Sequence, residues 1–349
     1  METGKKWCRN FIASFIMMMV LLGAVIVVVD PYFHYHKPLK CLAYQLYNER
    51  YQNDGIVKHF DYDAIITGTS MTQNFKTSEM DELFGTNAIK VPFAGAAYKE
   101  VKENLKRAIA ANPDIRMIVW GLDFNRLNGD VNAVRFESYP TYLYDDNLAN
   151  DVKYVFNKTV LFNDTLKNVI YYSKTTNKST SFDEYNNWNK RYKFGKEEVL
   201  KQYKRPDKVA ETVGSQRLNK ENIQRNVEDL IKANPNIDFY LFWTPYSIVW
   251  FDNINQAGGL QNLLRQEKEA LEILLPYPNV HFFSFFDNTE LTTHLGNYKD
   301  TLHYHEKINS YMLQCMATGE HQLTMENYQQ YSQMVWDFYT TYDYNQIFR

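Results

Sequence analysis

Two short segments of the sequence carry residue types that could perform covalent chemistry together. Ser70 follows Gly68 in the tetrapeptide Gly-Thr-Ser-Met, and Asp300 precedes His303 by three positions late in the chain. At that spacing an aspartate can accept a hydrogen bond from one imidazole nitrogen while the other faces outward, as a general base requires. A serine hydroxyl activated by such a base can attack an acyl group.

Each of these residues also has an ordinary structural interpretation. Serine and aspartate are preferred helix N-caps, so the tetrapeptide alone favours a cap at Ser70, and Asp300 could cap the helix that follows it. His305 is a competing base, but no acidic residue lies three positions before it. The combination of a glycine-serine turn with a late Asp-x-x-His segment is what favours the chemical interpretation.

The elements that must position these residues alternate along the chain. Short apolar or β-branched runs begin near Asp63, Asn87, Ile115, Ile237 and Asn279, with helical spacing between several of them. Three of the helices end in proline-containing turns. This alternation predicts an α/β fold, a three-layer α/β/α sandwich with a parallel sheet of about five strands. Such sheets bind ligands beyond the carboxyl ends of their strands, where Ser70 would lie.

A long apolar run near the N-terminus predicts one transmembrane helix. Residues 11–29 contain neither a charge nor a proline, and about 20 apolar residues match a bilayer core of about 30 Å. A cleaved signal peptide would have a shorter apolar core and a cleavage site of small residues. Bulky residues follow the apolar run here, so an uncleaved anchor is favoured. Because Lys5, Lys6 and Arg9 precede the run, we expect a single-pass cell-membrane protein with a cytoplasmic N-terminus and an extracytoplasmic domain.

The domain organisation follows from this reading. We expect a cytoplasmic N-terminus over residues 1–10, the anchor over 11–29, a juxtamembrane segment over 30–62, an α/β domain over 63–320 and a C-terminal helical extension over 321–349. Residues 126–217 form an insertion in the α/β domain, with helical patterns only near 148–156 and 160–171. An insertion of this length is expected to cap the site.

Composition excludes several classes of protein. Aromatic residues make up 16% and charged residues 23% of the chain, which suits a globular core and not disorder. The net charge of −3, without a basic block, argues against nucleic acid as a partner. Cys8, Cys41 and Cys315 lack metal-binding spacing, so we expect no metal and no cofactor; a disulfide between Cys41 and Cys315 is not expected either.

Taken together, these blocks resemble the SGNH (GDSL-like) hydrolase superfamily. They are the Gly-x-Ser after the first strand, a glycine after the second, a polar signature after the third and the late Asp-x-x-His, within about Asp63 to Thr318. The match is closer to membrane-anchored members found with cell-envelope polysaccharide genes. It is similar to the D-alanyl transfer protein of teichoic acid modification and to the alginate O-acetylation proteins.

The resemblance implies a role for each matching residue. Ser70 would be the nucleophile, His303 the base, and Asp300 the group that orients the imidazole ring. The backbone N–H groups of Ser70 and Gly95 would donate to the oxyanion. Gly95 has an equally ordinary interpretation as the glycine of a tight turn.

The third block departs from the family pattern of Gly-x-Asn. This chain reads Gly121-Leu-Asp123-Phe-Asn125, and an ionised Asp123 would repel the developing charge. Either Asn125 supplies the third oxyanion donor or Asp123 points elsewhere. We also expect Asp123, Trp243 and Tyr246 to line the substrate pocket, although aromatic rings at strand ends are commonly core residues.

The function implied by the resemblance is that of a membrane-anchored extracytoplasmic serine esterase or O-acyltransferase acting on acyl esters of cell-surface polysaccharide. Its implied partners are a cell-surface glycan or acyl-glycan, the membrane, and, if the reaction is transfer, a multispanning membrane-bound O-acyltransferase that moves the donor across the membrane. An alternative from a different class is a catalytically silent glycan-binding or scaffold protein in an envelope polysaccharide assembly complex.

Overall fold

The structure, a computed structural model, describes residues 2–134, 139–172, 178–210 and 218–349, and the chain forms two compact units. The N-terminal unit contains residues 1–60 and 138–181, and the sheet unit contains residues 61–137 and 182–349. The predicted insertion over 126–217 is therefore divided between the two units. Its expected end near residue 217 lies outside the described residues.

A six-stranded sheet forms the centre of the sheet unit. Five strands are parallel in the order β2-β1-β3-β4-β5, and β6 pairs antiparallel with β5. The predicted α/β fold and its five parallel strands are confirmed, whereas the two-residue β6 is too short to leave a periodic signal. The strands are β1 Ala64–Gly68, β2 Ala88–Pro92, β3 Met117–Leu122, β4 Asp238–Trp243, β5 Val280–Phe283 and β6 Gln322–Leu323.

The helices of both units follow in chain order. They are α1 Glu2–Val29, α2 Glu49–His59, α3 Thr77–Phe84, α4 Tyr98–Ala111, α5 Val152–Val155, α6 Lys196–Lys201, α7 Lys220–Ile223, α8 Asp229–Ala233, α9 Ile248–Gln256, α10 Leu260–Leu274, α11 Thr289–Thr293, α12 Glu306–Thr318 and α13 Tyr328–Thr341. Of the helix expected over 148–156, only α5 forms. The helix expected over 160–171 is replaced by π-helical turns at Val160–Leu166 and Asn168–Tyr172.

The connections of the sheet place helices on both of its faces. α3 joins β1 to β2 and packs against α12 on one face, while α4 and α10 belong to the connections that return along the other face. Every residue of β1, β2 and β3 is buried, as expected for strands covered on both sides. Because β1 to β5 are parallel, their carboxyl ends share one edge of the sheet.

Two glycines are required where β1 and β3 end. Gly68 has φ 142°, and a Cβ there would lie 2.7 Å from the Thr72 side chain. A Cβ on Gly121 would lie 2.8 Å from both the Thr72 methyl group and the Phe242 ring. Larger residues would displace Thr72, which lies in the turn directly after Ser70.

In the N-terminal unit, α1 is long and apolar enough to cross a membrane, at the predicted place. It ends at Val29 because Asp30 has φ 45° and its carboxylate accepts the backbone N–H groups of His34, Tyr35 and His36. Its orientation remains a prediction. All three cysteines are free thiols.

One buried carboxyl group makes the stability of the sheet unit depend on pH. Glu267 of α10 accepts a hydrogen bond of 2.6 Å from the Tyr331 hydroxyl of α13. Burial raises the pKa of Glu267 from 4.5 to about 8. Between these values the folded protein keeps a proton that the unfolded chain releases, so the free energy of unfolding falls as the pH rises from about 4.5 to about 8.

We expect Glu267→Gln to raise the melting temperature by several degrees at pH 8 and to change it little at pH 4.5. The amide oxygen can still accept from Tyr331, and no charge has to be buried. Thermal unfolding of the full chain at the two pH values measures this, with Glu272→Gln on the exposed side of α10 as control. A loss of stability at pH 8, or an equal gain at both pH values, would contradict the assignment.

Candidate active site

The end of β1 positions Ser70. A single 3-10 turn over Ser70–Thr72 follows the strand directly, and the side chain of Thr69 accepts the Met71 N–H at 3.4 Å. The capping position therefore belongs to Thr69 and not to Ser70. The Ser70 side chain reaches the open edge of the sheet, where the loops after parallel strands meet.

A tight loop before α12 positions Asp300 and His303. The loop is closed by the Lys299 N–H, which donates to the His303 carbonyl at 3.0 Å. Inside it, the Asp300 carboxylate accepts the N–H groups of Leu302 and His303 at 2.9 and 2.8 Å. His305, the competing base, instead caps α12 by accepting the Lys307 N–H at 3.1 Å.

Ser70, His303 and Asp300 form one continuous hydrogen-bonded chain. Ser70 Oγ lies 2.8 Å from His303 Nε2. The other ring nitrogen, Nδ1, lies 2.8 Å from Asp300 Oδ2 and 3.1 Å from Oδ1. Ser70 and His303, which are 233 positions apart, thus lie with Asp300 in the positions of a nucleophile, a base and an orienting carboxylate.

Asp300 is held in its charged form. Burial alone would raise the pKa of this carboxyl group, but its hydrogen bonds to His303 and Lys299 outweigh burial and keep the pKa well below its usual range. The Lys299 ammonium lies 2.7 Å from Asp300 Oδ2. A carboxylate that stays ionised can keep the Nδ1 proton of His303 facing it and leave Nε2 free to accept from Ser70.

A cavity of about 350 Å³ opens beside Ser70. It combines the serine and the histidine with amide, aromatic and basic side chains. Its lining residues are Ser70, Gln73, Asn186, Trp188, Arg191, Tyr192, Lys299 and His303. They offer one histidine but neither a carboxylate nor a thiol, which makes this cavity a poor metal site.

Trp188 lines the cavity, although the sequence did not predict a role for it there. Its indole N–H donates to the Ser70 carbonyl at 3.1 Å, and its ring meets the His303 ring edge-on with centroids 5.5 Å apart. The Lys299 ammonium lies 5.2 Å from the Trp188 ring centroid and 4.4 Å from that of Tyr192. Part of the predicted insertion therefore does flank the site; its richness in Tyr and Asn was the one available signal.

Asp123 is not among the residues that line the cavity. It is buried, and its carboxylate accepts from the hydroxyls of Tyr246 and Thr244 at 3.2 and 3.4 Å. Burial raises the pKa of Asp123, an effect partly offset by hydrogen bonds from Thr69 and Tyr246. These contacts agree with the second of the two alternatives, in which Asp123 points away from the oxyanion.

Three other residues expected at the site lie away from the cavity. Asn125 is exposed in a 3-10 turn, whereas Trp243 and Tyr246 are almost completely buried. Trp243 packs between the rings of Phe124 and Phe282. The expectation that Asp123, Trp243 and Tyr246 line the pocket is therefore corrected, because the end of the central strand β4 is covered by core side chains.

Gly95 lies in the loop after β2, the neighbour of β1 in the sheet. It has φ 69° in a turn closed by the Ala96 N–H donating to the Phe93 carbonyl at 2.9 Å. The turn itself requires glycine there. Its proposed second role, as an oxyanion donor, remains a prediction.

One cluster within the described parts of the chain has metal-ligating side chains. The ligand atoms of Cys315, Glu320 and His321 lie within 4.8 Å of one another. His321 Nδ1 is 3.0 Å from Asp287, and its Nε2 is 3.0 Å from the Tyr311 hydroxyl. None of these residues lines the cavity beside Ser70.

No protein-family model matches the chain, and no curated protein is significantly similar to it. Among solved structures the chain is similar to a protein from Streptococcus pneumonia described as a candidate platelet activating factor. The two are 14% identical, with 78% of this chain and 90% of that chain covered and a TM-score of 0.38. A similarity of this size carries no functional argument, so the function rests on the geometry of the site.

Proposed function

We propose that the chain is a serine esterase or O-acyltransferase of SGNH type. The observation that carries this proposal is the hydrogen-bonded chain from Ser70 through His303 to Asp300 at the open edge of the sheet. A histidine placed between a hydroxyl and an ionised carboxylate is the arrangement that activates a serine for acyl transfer.

The reaction has two halves. Ser70 Oγ attacks the carbonyl carbon of an acyl ester while His303 Nε2 takes the hydroxyl proton, and Asp300 stabilises the imidazolium that forms. The tetrahedral intermediate collapses, the ester C–O bond breaks, and His303 gives its proton to the departing alkoxide. Water or a glycan hydroxyl then attacks the acyl-serine in the same way, which releases Ser70. The backbone N–H groups of Ser70 and Gly95 are proposed as oxyanion donors.

We propose a cell-surface glycan ester as the substrate. The cavity is lined by the aromatic side chains of Trp188 and Tyr192 and by the amide side chains of Gln73 and Asn186; such a mixture suits sugar rings with hydroxyl groups. With α1 spanning a membrane and Lys5, Lys6 and Arg9 on the cytoplasmic side, the site would face outward. If transfer is the reaction, a multispanning membrane-bound O-acyltransferase would supply the acyl donor.

One observation favours the alternative of a catalytically silent glycan-binding or scaffold protein. Neither Asn125 nor Asp123 is among the residues that line the cavity beside Ser70, so neither is placed there as a third oxyanion donor. Loss of one such donor typically reduces turnover by about 10²–10³-fold. The site could then keep its hydrogen bonds and its ligand while turning over very slowly.

A fluorophosphonate probe separates the two functions, because it reacts only with an activated serine. We expect the folded full chain in detergent to be labelled at Ser70, as located by peptide mass spectrometry, and Ser70→Ala to remain unlabelled. Ser78→Ala is the matched control, since the Ser78 hydroxyl only donates to Asp183 at 2.6 Å. A folded protein that is not labelled at Ser70 would support the scaffold function.

A further inference from the structure

The Val29 end of α1 packs against other residues of the N-terminal unit. Ile26 is 1% exposed and belongs to an apolar cluster with Tyr32, Tyr154 and Val160. One turn earlier, a Cβ on Gly23 would lie 2.9 Å from Val155. Residues around α5 therefore pack along the last two turns of the helix that is apolar enough to cross a membrane.

This packing sets the position of α5 along the axis of α1. The Tyr154 hydroxyl donates to Asp30 at 2.8 Å, directly after the last residue of α1. The ring of Phe156 lies 3.7 Å from a Cβ position on Gly23. Gly23 precedes Val29 by six residues, which is about 9 Å along a helix axis. Phe156 therefore lies beside α1 at a point about 9 Å before its Val29 end, measured along the helix axis.

Large apolar side chains of the same segment are exposed. Phe156 is 49% and Phe162 is 61% exposed. Exposed apolar groups concentrated in one segment mark an interaction surface. The other members of the segment with high exposure are Leu148, Val152 and Ile170.

Basic side chains lie between these apolar groups. Lys153, Lys158 and Lys167 are all exposed. Alternation of bulky apolar residues with lysines is typical of segments that lie in the interface of a bilayer, buried about 5–10 Å into the boundary between headgroups and acyl chains. The depth of Phe156 relative to the end of α1 falls in this range.

We propose that residues 148–170 insert into the leaflet at the Val29 end of the same bilayer that α1 spans. Phe156 and Phe162 contact lipid acyl chains, and the three lysines contact lipid phosphates. The α-helical and π-helical turns of the segment satisfy much of its backbone hydrogen bonding, as insertion requires. The inference rests on α1 spanning the membrane and is independent of the proposed chemistry. It gives the N-terminal unit a second attachment to the bilayer besides α1.

Spin-label accessibility tests this in the full chain, in nanodiscs of phosphatidylcholine and phosphatidylglycerol. Single cysteines replace Phe156 or Phe162 in a background of Cys8→Ser, Cys41→Ser and Cys315→Ala. Val20→Cys on the exposed side of α1 is the lipid control, and Glu82→Cys on α3 is the water control. We expect both test sites to match the lipid control, with high accessibility to oxygen and low accessibility to a water-soluble nickel chelate.

A second measurement avoids the cysteine background. In otherwise wild-type protein, the added fluorescence of Phe162→Trp should be quenched by lipids brominated on their acyl chains. Nickel accessibility equal to that of the water control, together with no added quenching, would overturn the proposal. The apolar segment would then await a protein partner that is absent from the nanodisc.

Discussion

Ser70→Ala is expected to lower the turnover of a small aryl acetate by at least about 10³-fold, the scale seen when a triad nucleophile is removed. The alanine removes the attacking oxygen and leaves the rest of the cavity in place. The Ser70 carbonyl, which accepts the Trp188 indole N–H, is unchanged by the substitution. Steady-state hydrolysis by the full chain in detergent measures the effect.

The control for this variant is Ser78→Ala, which should retain wild-type turnover because its hydroxyl contacts Asp183 and not the cavity. If Ser70→Ala hydrolysed the ester as fast as the wild type, the turnover would come from another group. Ser70 would then have only a structural role at the end of β1.

The second large effect is expected at Asp300. Asp300→Asn should lower kcat by about 10²–10⁴-fold with little change in KM, since an amide can hold the imidazole with the wrong nitrogen protonated. The substitution also removes the negative charge that would stabilise an imidazolium. The substrate cavity, which Asp300 does not line, should bind as before.

The chain contains a matched control for that substitution. Asp287 lies 3.0 Å from Nδ1 of His321, the same kind of aspartate-histidine contact outside the cavity. Asp287→Asn should leave kcat unchanged even if it lowers the melting temperature. An equal loss of kcat in both variants would indicate a general effect on folding and contradict the assigned role of Asp300.

The parts of the site that sequence could predict are those with local causes. β1 is a β-branched run closed by Gly68, so Ser70 had to follow a strand end. Asp300 and His303 are three residues apart in one loop, and their contact needs no information from the rest of the chain. Parallel strands then bring the two segments to one edge of the sheet.

The remaining parts depend on contacts that no local pattern encodes. Trp188 lies in an aperiodic segment, and its contact with Ser70 joins residues 118 positions apart. The direction of the Asp123 side chain depends on Thr69, which follows β1, and on partners after β4, including Tyr246. Trp243 ends a central strand, so its burial follows from neighbours on both sides.

The packing around α1 in the N-terminal unit could not be predicted from the sequence either. The apolar run of α1 predicts a spanning helix from composition alone, but a uniformly apolar helix gives no sign of which side protein will cover. Residues near Tyr154 and Val160 cover the side that contains Ile26. Only the tertiary structure shows this packing and the depth it implies.

The acyl-enzyme is the species that the proposed chemistry requires most directly. We would mix the full chain with an aryl acetate, quench in acid within the first turnovers and locate acetylation by peptide mass spectrometry. An acetyl group on Ser70 in the wild type, absent from Ser70→Ala and strongly reduced in His303→Ala, is the predicted result. Turnover without acetylated Ser70, or acetylation that is unaffected by His303→Ala, would contradict the account.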